Sequence, residues 1–414
     1  MKKMTLSEEL VWRGLVNQTT IKDLSVLDKP EKIVFYHGFD ASAPSQTIGN
    51  LAGMMVDVCF LRHGHKGILL AGGATSLVGD PGGKDKERPL QTEETINFNI
   101  ECAKKQIQKV FGKFEFTMVN NIDWTKDKNI LFFLREVGKY FNVGEMIKKE
   151  YIASRLGEGG AGISFTEFSY ELLQGYDYLH LFENYNCTLQ IGGADQWTNC
   201  LAGTELIRRK LGKETHVLTL PLIINKATGI KFGKSEAGAV WLDEEKTSVY
   251  DFYQFWINTD DEGCKDYVKI FTAIEKEEYD ALLIEAEKDG SKRIIQKYLA
   301  YEVTKLVHGE DESEKAKKTS EELFANKSGV MNLENLETFE VSPEYIYDEK
   351  INLVDFLASG ILKSKREARD LIAAGGIYID DEATTKTFLE IKSLNDKTEF
   401  LVRVGKKKYY KVIF

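Results

Sequence analysis

Short apolar runs alternate with amphipathic segments through the first third of this chain, and no other feature limits its possible folds more. Residues 33–39, IVFYHGF, predict a buried strand, and residues 47–61 have the apolar spacing of an amphipathic helix. The strand predicted at 67–70, the helix at 92–110 and the strand at 114–119 continue the alternation. Strands that alternate with helices at this spacing predict an open, mainly parallel α/β sheet with helices on both faces.

Polar residues stand where these strands end, which is where ligands bind in sheets of this kind. Tyr36, Asp40 and Asp80 lie at or just beyond such ends. The segment 187–197, CTLQIGGADQW, repeats the pattern, because an apolar strand ends in two glycines and a carboxylate follows. The glycines let a ligand approach the backbone, and Asp195 can accept hydrogen bonds from two ribose hydroxyls.

The segment 164–181, SFTEFSYELLQGYDYLHL, predicts a helix with two different faces. Tyr170, Gln174 and Asp177 fall within an arc of about 60° on one side. Such a row could hold a small ligand with a polar group at each end, although a solvated polar face would have the same pattern. The opposite side is an apolar stripe that suits the core, made of Phe168, Leu172, Tyr176 and Leu179.

The glycine-rich turn at 72–83 has neither Walker nor dinucleotide spacing. One interpretation is an ordinary turn from a strand to a helix. The functional interpretation sets Asp80 against a cation and places Lys84 and Arg88 close to phosphates.

A second glycine-containing loop, GIKFGKSEAG, carries Lys231 and Lys234 on either side of a glycine. Flexible paired lysines suit a negative charge that appears only in a transition state. For two lysines taken by themselves, a solvated basic turn is the alternative interpretation.

Length and composition exclude several classes of protein. With 414 residues the chain is long enough for two or three domains, and no apolar run approaches the roughly 20 residues that span a bilayer. The N-terminus lacks the apolar core of a signal peptide, so we expect a cytoplasmic protein. The five cysteines are scattered without zinc spacing, so no structural metal is expected. A net charge of −10 requires any nucleic-acid binding to use a local basic patch.

Such a patch is expected at the C-terminal end, where residues 351–414 carry 12 basic against 9 acidic side chains. Two short helices, a Gly-Gly turn and a strand are predicted there, with basic residues beside aromatic ones, a combination that suggests RNA. A merely solubilising surface is the alternative. The predicted domains are an α/β domain at 1–246, a helical domain at 247–326, a linker at 327–350 and the basic module at 351–414.

These features together resemble a bacterial-type tyrosyl-tRNA synthetase, a family of class I aminoacyl-tRNA synthetases. The most specific segments are GGATSLVGDPGGK, GISFTEFSYELLQGYD, LQIGGADQW and KFGKS, which occur in the family's order. The resemblance implies a Rossmann-like, doubly wound parallel sheet in the catalytic domain. It also implies that the helical domain at 247–326 lies on the anticodon side and that a small α+β, S4-like RNA-binding domain follows.

The resemblance also implies roles for individual residues. Tyr36 and Asp177 match residues that hydrogen-bond the tyrosine hydroxyl, and Tyr170, Gln174 and Asp80 match those that hold its ammonium group. The expected contacts of the tyrosine substrate are therefore Tyr36, Thr75, Asp80, Tyr170, Gln174, Asp177 and Gln196. The expected contacts of ATP are Gly38, Asp40, Gly49, Gly193, Asp195 and Ser235. Residues expected to assist the chemistry are Thr47, Asn50, Lys84, Arg88, Lys231 and Lys234, of which the last two lie in KFGKS at 231–235. Expected contacts of RNA are Lys365, Arg366 and Arg369.

The chain departs from the family pattern in a few places. The class I signature HIGH is replaced by TIGN at residues 47–50. Asn50 keeps an N–H donor, whereas the Thr47 hydroxyl is shorter than an imidazole and reaches less far toward phosphates. His37 stands where a smaller or neutral residue is usual. Asp380 and Asp381 form an unusually acidic turn.

The expected function is activation of L-tyrosine with ATP, followed by transfer to tRNA(Tyr). The resemblance implies a homodimer, and the aromatic segment 130–143 is a candidate interface, although it could equally be core. Mg²⁺ would accompany ATP. Two alternatives stay open: a catalytically weak paralogue that acts as an RNA-binding protein, and a synthetase for another amino acid such as tryptophan.

Overall fold

The computed structural model describes residues 3–81, 91–157, 159–226, 228–229, 232–235, 238–325, 336–394, 398–405 and 408–414. The chain divides into two compact units. The first comprises residues 1–247 and 252–310, and the second comprises residues 248–251 and 311–414. None of the helices in the described part is long and apolar enough to cross a membrane.

The first unit is built on a six-stranded sheet in the order β1-β6-β5-β2-β3-β4. β2 to β6 pair in parallel, and the short β1 is antiparallel to β6. The strands are β1 (Gln18–Thr19), β2 (Val34–Phe39), β3 (Lys66–Ala71), β4 (Phe116–Asn120), β5 (Leu189–Gly193) and β6 (His216–Leu220). A small hairpin joins β7 (Lys234–Ser235) to β8 (Gly238–Ala239).

Helices connect these strands and continue beyond them. In the first half of the chain they are α1 (Leu6–Arg13), α2 (Ile48–Arg62), α3 (Gly73–Val78), α4 (Glu93–Phe111), α5 (Ile122–Thr125), α6 (Ile130–Glu136), α7 (Val143–Met146), α8 (Glu150–Leu156), α9 (Phe165–Phe168), α10 (Tyr170–Tyr185) and α11 (Trp197–Leu211). They are followed by α12 (Val249–Ile257), α13 (Gly263–Phe271), α14 (Lys276–Lys288), α15 (Ile294–His308) and α16 (Glu310–Ala325).

The pleat of β2 sends neighbouring side chains to opposite faces of the sheet. The Phe35 ring lies 5.0 Å from that of Phe60 in α2, whereas the Tyr36 ring lies 5.1 Å from that of Tyr178 in α10. Helices therefore cover both faces, as predicted. The chain leaves β2 toward β3 on one side and returns through β5 on the other, so the cleft beside β2 and β5 is a topological switch point.

Two local predictions need correction. The helix predicted over 164–181 is divided into α9 and α10, because Ser164 and Glu167 form a capping box that starts a separate helical turn. The polar row lies entirely in α10. The glycine-rich segment predicted as a turn contains the short helix α3, whose Ala74 N–H donates to the Asn121 side chain at 2.7 Å.

The second unit contains a five-stranded sheet in the order β13-β12-β15-β16-β9 and a three-stranded sheet in the order β10-β11-β14. Its strands are β9 (Thr338–Glu340), β10 (Ile346–Tyr347), β11 (Lys350–Asn352), β12 (Ile377–Ile379), β13 (Glu382–Thr384), β14 (Phe388–Glu390), β15 (Glu399–Val404) and β16 (Lys408–Ile413). Its core gathers buried side chains from these strands and from the helices α17 (Leu353–Phe356) and α18 (Lys365–Ala373). The predicted fold class, a parallel α/β sheet with helices and a small C-terminal α+β domain, is confirmed.

The acidic turn at Asp380 and Asp381 has a structural explanation. Both residues have positive φ angles, of 46° and 66°, in the two-residue loop between β12 and β13. Tight hairpin loops favour Asn, Asp or Gly at such positions. Asp380 also accepts a hydrogen bond from the Leu401 N–H at 2.8 Å, so the turn is tied to β15.

The segment predicted as a linker, 327–350, has regular structure in the part that the structure describes. β9 pairs in parallel with β16, and β10 pairs with β11. Strands of two or three residues are too short for a periodic signal, which is why the sequence did not indicate them. The domain boundaries remain predictions.

Candidate active site

A cavity of about 430 Å³ opens at the carboxyl ends of β2, β3 and β5. Fourteen of the residues expected to contact substrates line it together, although they come from segments up to 160 residues apart. They are Tyr36, Gly38, Asp40, Thr47, Gly49, Asn50, Thr75, Asp80, Tyr170, Gln174, Asp177, Gly193, Asp195 and Gln196.

At one end of the cavity, Asp177 is a buried carboxylate held by two N–H donors. Asn121 Nδ2 donates to one oxygen at 2.9 Å and Trp124 Nε1 donates to the other at 2.9 Å. Burial raises the pKa of Asp177 to about 7, although these two hydrogen bonds oppose the rise. The indole of Trp124 is itself fixed by stacking on the His180 ring at 4.3 Å.

Tyr36 faces the same end of the cavity. Its hydroxyl is buried and has no hydrogen-bond partner within the described part of the chain. Burial holds the pKa of Tyr36 well above its usual value, so the phenol remains neutral. Since an unpaired buried hydroxyl is costly, Tyr36 and Asp177 together offer a polar receptor to a ligand that carries a hydroxyl group.

The other end of the cavity is acidic. Tyr170 Oη donates to the Asp40 carboxylate at 3.2 Å, and Thr75 Oγ1 donates to it at 3.2 Å. Asp80 accepts a hydrogen bond from Gln196 Nε2 at 2.7 Å. Two carboxylates that line the same cavity, each already hydrogen-bonded, suit a cationic group such as an ammonium.

Asn121 connects the two ends. Its Nδ2 also donates to Thr75 Oγ1 at 3.2 Å, so hydrogen bonds run from Asp177 through Asn121 and Thr75 to Asp40. The sequence interpretation missed Asn121 and Trp124. Their position directly after β4 was a usable signal, because the carboxyl ends of parallel strands meet at the same edge of a sheet.

The TIGN segment begins α2. Asn50 Oδ1 accepts from the Thr47 backbone N–H at 2.9 Å and from Thr47 Oγ1 at 2.8 Å. Both partners donate, so the oxygen of the Asn50 amide must face Thr47 and its NH₂ group points away from Thr47. Thr47 therefore orients the amide that stands in place of the second histidine of HIGH.

The lysine-bearing loop is anchored next to TIGN. Phe232 is buried, and its ring lies 4.1 Å from that of Tyr267. A Cβ atom at Gly233 would lie 3.4 Å from Ile48 Cβ, so the two loops are in close contact. Lys84, Arg88 and Lys231 lie outside the described residues. Lys234 and Ser235 form β7, and only their backbone is described.

In the second unit, the predicted RNA-contacting residues are exposed on α18. Lys365 Nζ lies 2.9 Å from Asp355 Oδ1, and the Arg366 side chain is 92% exposed. Arg369 is exposed on the same helix. In the same unit, the Arg403 guanidinium lies 3.5 Å from the centre of the Tyr378 ring.

Comparisons with known proteins agree with this arrangement. Residues 28–325 match the family described as tRNA synthetases class I (W and Y), and residues 334–412 match the tyrosine–tRNA ligase SYY-like C-terminal domain. The chain therefore belongs to the class I tRNA synthetases.

Relatives that match nearly the full length of this chain identify its branch of the class I tRNA synthetases. The tyrosine–tRNA ligase of Listeria welshimeri is 45% identical over 99% of this chain and 100% of its own length. That of Geobacillus kaustophilus is 46% identical over 98% of this chain and 99% of its own. The C-terminally truncated mitochondrial tyrosyl-tRNA synthetase of Aspergillus nidulans superposes with a TM-score of 0.70 at 29% identity, covering 78% of this chain and 95% of that one. Within the class, the chain belongs to the tyrosine–tRNA ligase family, and the resemblance seen in the sequence is confirmed.

The raised pKa of Asp177 generates a prediction about stability. Between about pH 4 and pH 7 the folded state holds a proton on Asp177 that the unfolded state has released, so stability should fall as the pH rises. The whole titration should cost on the order of 4 kcal/mol, of which about 2–3 kcal/mol falls between pH 5 and pH 8. We expect Asp177→Asn to remove this pH-dependent loss, as measured by urea unfolding at about pH 5 and about pH 8. Asp123→Asn, at a nearby exposed carboxyl, is the control, and equal pH dependence in wild type and Asp177→Asn would contradict the assignment.

Proposed function

We propose that the cavity binds L-tyrosine with its phenol at Tyr36 and Asp177 and its ammonium group at the acidic end near Tyr170, Gln174 and Asp80. The observation that carries this assignment is the Tyr36 hydroxyl, which has no hydrogen-bond partner among the described residues and lies in the same cavity as the buried Asp177 carboxylate. The chain is an ATP-dependent aminoacyl-tRNA ligase: it activates tyrosine as the adenylate and transfers it to tRNA.

Selectivity follows from the cost of leaving buried polar groups unpaired. A tyrosine hydroxyl can donate a hydrogen bond to Asp177 and accept one from Tyr36. Phenylalanine has only an aromatic C–H at the same position. With phenylalanine bound, the Tyr36 hydroxyl and the Asp177 carboxylate would lose both water and a partner, which costs about 1–3 kcal/mol for each neutral group and more for a charged one. Such a site rejects phenylalanine without a separate editing step.

The nucleotide side of the cavity is proposed to extend from TIGN to the loop after β5. Gly38, Asp40, Gly49, Gly193 and Asp195 would contact ATP, with Ser235 adding a further contact. The tyrosine carboxylate attacks the α-phosphorus, the bond to the β-phosphate oxygen breaks, and pyrophosphate leaves. No protein nucleophile is required, because positioning and charge stabilisation lower the barrier.

Cationic residues would stabilise the departing charge. We assign this role to Lys231 and Lys234 in KFGKS and to Lys84 and Arg88 beyond α3, with Mg²⁺ bound to the ATP phosphates. Gln196 would lie near the reacting carboxylate. In the second step a hydroxyl of the terminal ribose of tRNA attacks the adenylate carbonyl, and AMP leaves.

The alternative functions receive no support from the comparisons. A protein that only binds RNA needs neither the paired phenol receptor nor the lysine loop. A tryptophan enzyme would leave Tyr36 and Asp177 without a substrate hydroxyl.

With tRNA as a substrate, we propose a cytoplasmic location.

Tyrosine-dependent exchange of pyrophosphate into ATP tests the pocket. We expect Asp177→Ala to lower kcat/KM for tyrosine by at least tenfold and to lose most of the discrimination against phenylalanine, because the substrate hydroxyl loses its charged partner. Glu183→Ala, at an exposed position of the same helix, should leave both values unchanged. Undiminished discrimination in Asp177→Ala would refute the proposed phenol site.

The C-terminal surface is proposed to bind tRNA(Tyr) through Lys365, Arg366 and Arg369. Replacing all three with Ala should raise KM for tRNA and reduce its salt dependence by about one unit of slope for each phosphate that is no longer neutralised. Pyrophosphate exchange should not change. The matched control replaces three exposed lysines of α4 in the first unit, Lys104, Lys105 and Lys109. If both triple variants affect aminoacylation equally, the effect is one of general charge and the assignment fails.

A homodimer is proposed from the outer face of α6. Ile130, Leu131 and Leu134 are exposed, Leu131 by 69%, whereas Phe132 and Phe133 pack inward against Tyr176. The segment 130–143 thus combines core and surface, and its apolar surface suits a second copy of the chain.

Light scattering after size exclusion tests this proposal. We expect wild type at twice the chain mass of 47.0 kDa and the double variant Leu131→Glu/Leu134→Glu at the single-chain mass. Burying two carboxylates in an apolar interface is unfavourable. Val11→Glu and Phe98→Glu, at two other exposed apolar positions, should remain dimeric. A monomeric wild type at micromolar concentration would exclude the interface.

A further inference from the structure

Gln106 of α4 connects two chain segments that lead to the signature sequences TIGN and KFGKS, and it is not one of the expected site residues. The entry segment, residues 45–48, runs into TIGN, and the return segment, residues 240–243, follows KFGKS. Gln106 is 9% exposed, so its amide lies in the interior. Its neighbour in the chain, Ile107, lines the cavity, as does Gln46 of the entry segment.

The entry and return segments pair with each other in an antiparallel arrangement. The Leu242 N–H donates to the Gln46 carbonyl oxygen at 2.9 Å, and the Ile48 N–H donates to that of Val240 at 3.2 Å. Backbone hydrogen bonds therefore join the chain that enters TIGN to the chain that leaves KFGKS.

The return segment is also attached to the KFGKS loop itself. The Val240 N–H donates to the Gly233 carbonyl oxygen at 2.9 Å. The pairing of β7 with β8 connects Lys234 to Ala239, directly before the return segment. The return segment thus contacts the lysine-bearing loop on one side and the entry segment on the other, so a shift of it would move the two signature sequences relative to each other.

The Gln106 amide binds one group of each segment. Its Oε1 accepts from the Gln46 N–H at 2.8 Å, and its Nε2 donates to Asp243 Oδ2 at 3.3 Å. A backbone N–H needs an acceptor and a carboxylate needs a donor, so these partners determine the orientation of the amide. Asp243 is held further by its own N–H, which donates to Ser45 Oγ at 3.2 Å, and by its Oδ1, which accepts from the Glu245 N–H at 3.0 Å.

We propose that Gln106 is a positioning residue for tyrosine activation, which holds TIGN and KFGKS at the separation that the departing pyrophosphate requires. The inference rests on the proposed roles of these two sequences in the reaction. Gln106 acts without touching a substrate, because a misplacement of about 1 Å in a group that acts on the transition state can cost about 100-fold in rate. Tyr36 and Asp177 lie on β2 and α10, so the effect should fall on the rate and not on tyrosine binding.

Replacing the amide with a thioether tests the proposal. Methionine is a flexible side chain of similar length, but it offers no N–H and at most a weak acceptor. We expect Gln106→Met to lower kcat of tyrosine-dependent pyrophosphate exchange by about tenfold or more, while KM for tyrosine changes by less than about twofold. Single-turnover transfer of tyrosine to tRNA from adenylate formed beforehand should also change by less than about twofold, because pyrophosphate has already left.

A second test rebuilds the hydrogen bond with donor and acceptor exchanged. In Gln106→Glu the carboxylate can still accept from Gln46, but it faces the like charge of Asp243. In Asp243→Asn the two NH₂ groups face each other. In the double variant, Asn Nδ2 donates to the Glu carboxylate, and its Oδ1 still accepts from the Glu245 N–H. We expect each single variant to lower kcat and the double variant to lie within about threefold of wild type.

Gln296→Met is the matched control. Gln296 is 3% exposed in α15, and its Nε2 donates to Asp261 Oδ1 at 2.6 Å. This is the same kind of buried pair, but neither residue lines the cavity. Gln296→Met should lower the free energy of unfolding, as Gln106→Met should, which urea unfolding measures. Its kcat for pyrophosphate exchange should equal that of wild type.

Wild-type kcat in Gln106→Met, or an equal effect on KM for tyrosine, would overturn the inference. So would an equal loss of kcat in Gln296→Met, since the cause would then be general destabilisation. If Gln106→Met fails to fold, the exchanged pair provides the test: recovery of kcat in the double variant supports the inference, and a double variant no faster than the single variants refutes it. Wild type without tyrosine-dependent exchange would instead contradict the proposed function.

Discussion

The burial of the Asp177 carboxylate is the interaction on which the rest of the site depends. A carboxylate removed from water is stabilised by hydrogen-bond donors, and Asn121 and Trp124 supply one to each oxygen of Asp177. Those donors come from the segment after β4, so this contact ties that segment to α10. Asn121 also holds the start of α3 and Thr75, and through Thr75 it reaches Asp40. One buried carboxyl group is thereby connected by hydrogen bonds to groups at both ends of the cavity.

The pleat of β2 then divides the cavity between two substrates. Tyr36 points to the side covered by α10, where the phenol of tyrosine is proposed to bind. His37, the next residue, points to the side covered by α2, where the nucleotide is proposed to bind. A single strand thus contributes to both substrate sites and brings them together at its carboxyl end. This is the geometry that an attack of one substrate on the other requires, and it explains why the switch point of the sheet is the useful place for it.

The departures from the family pattern are connected in the structure. Thr47 accompanies Asn50, because the threonine hydroxyl and backbone orient the asparagine amide. His37 accompanies Gly53 and Asp57, because the ring needs the space of one and the charge of the other. Asp380 and Asp381 occupy a turn whose positive φ angles favour Asp. Each unusual residue is explained by the residues that it contacts. Its effect on function therefore depends on the whole set of contacting residues and not on the one position.

The sequence by itself determined the order of strands and helices, the parallel sheet and the edge at which ligands bind, since these follow from apolar periodicity and from connections that must be right-handed and short. It also indicated the polar row of α10, because helical spacing is a local property. Tertiary structure decided which residues support that row: the place of Asn121 and Trp124 after β4 marks them as candidates, but they are more than 50 positions from Asp177, and no local pattern joins them to it. The pairing of His37 with Asp57 was equally hidden, because it depends on how α2 packs over β2. The sequence also did not predict short strands such as β9, since their stability comes from pairing with a distant strand and not from their own residues.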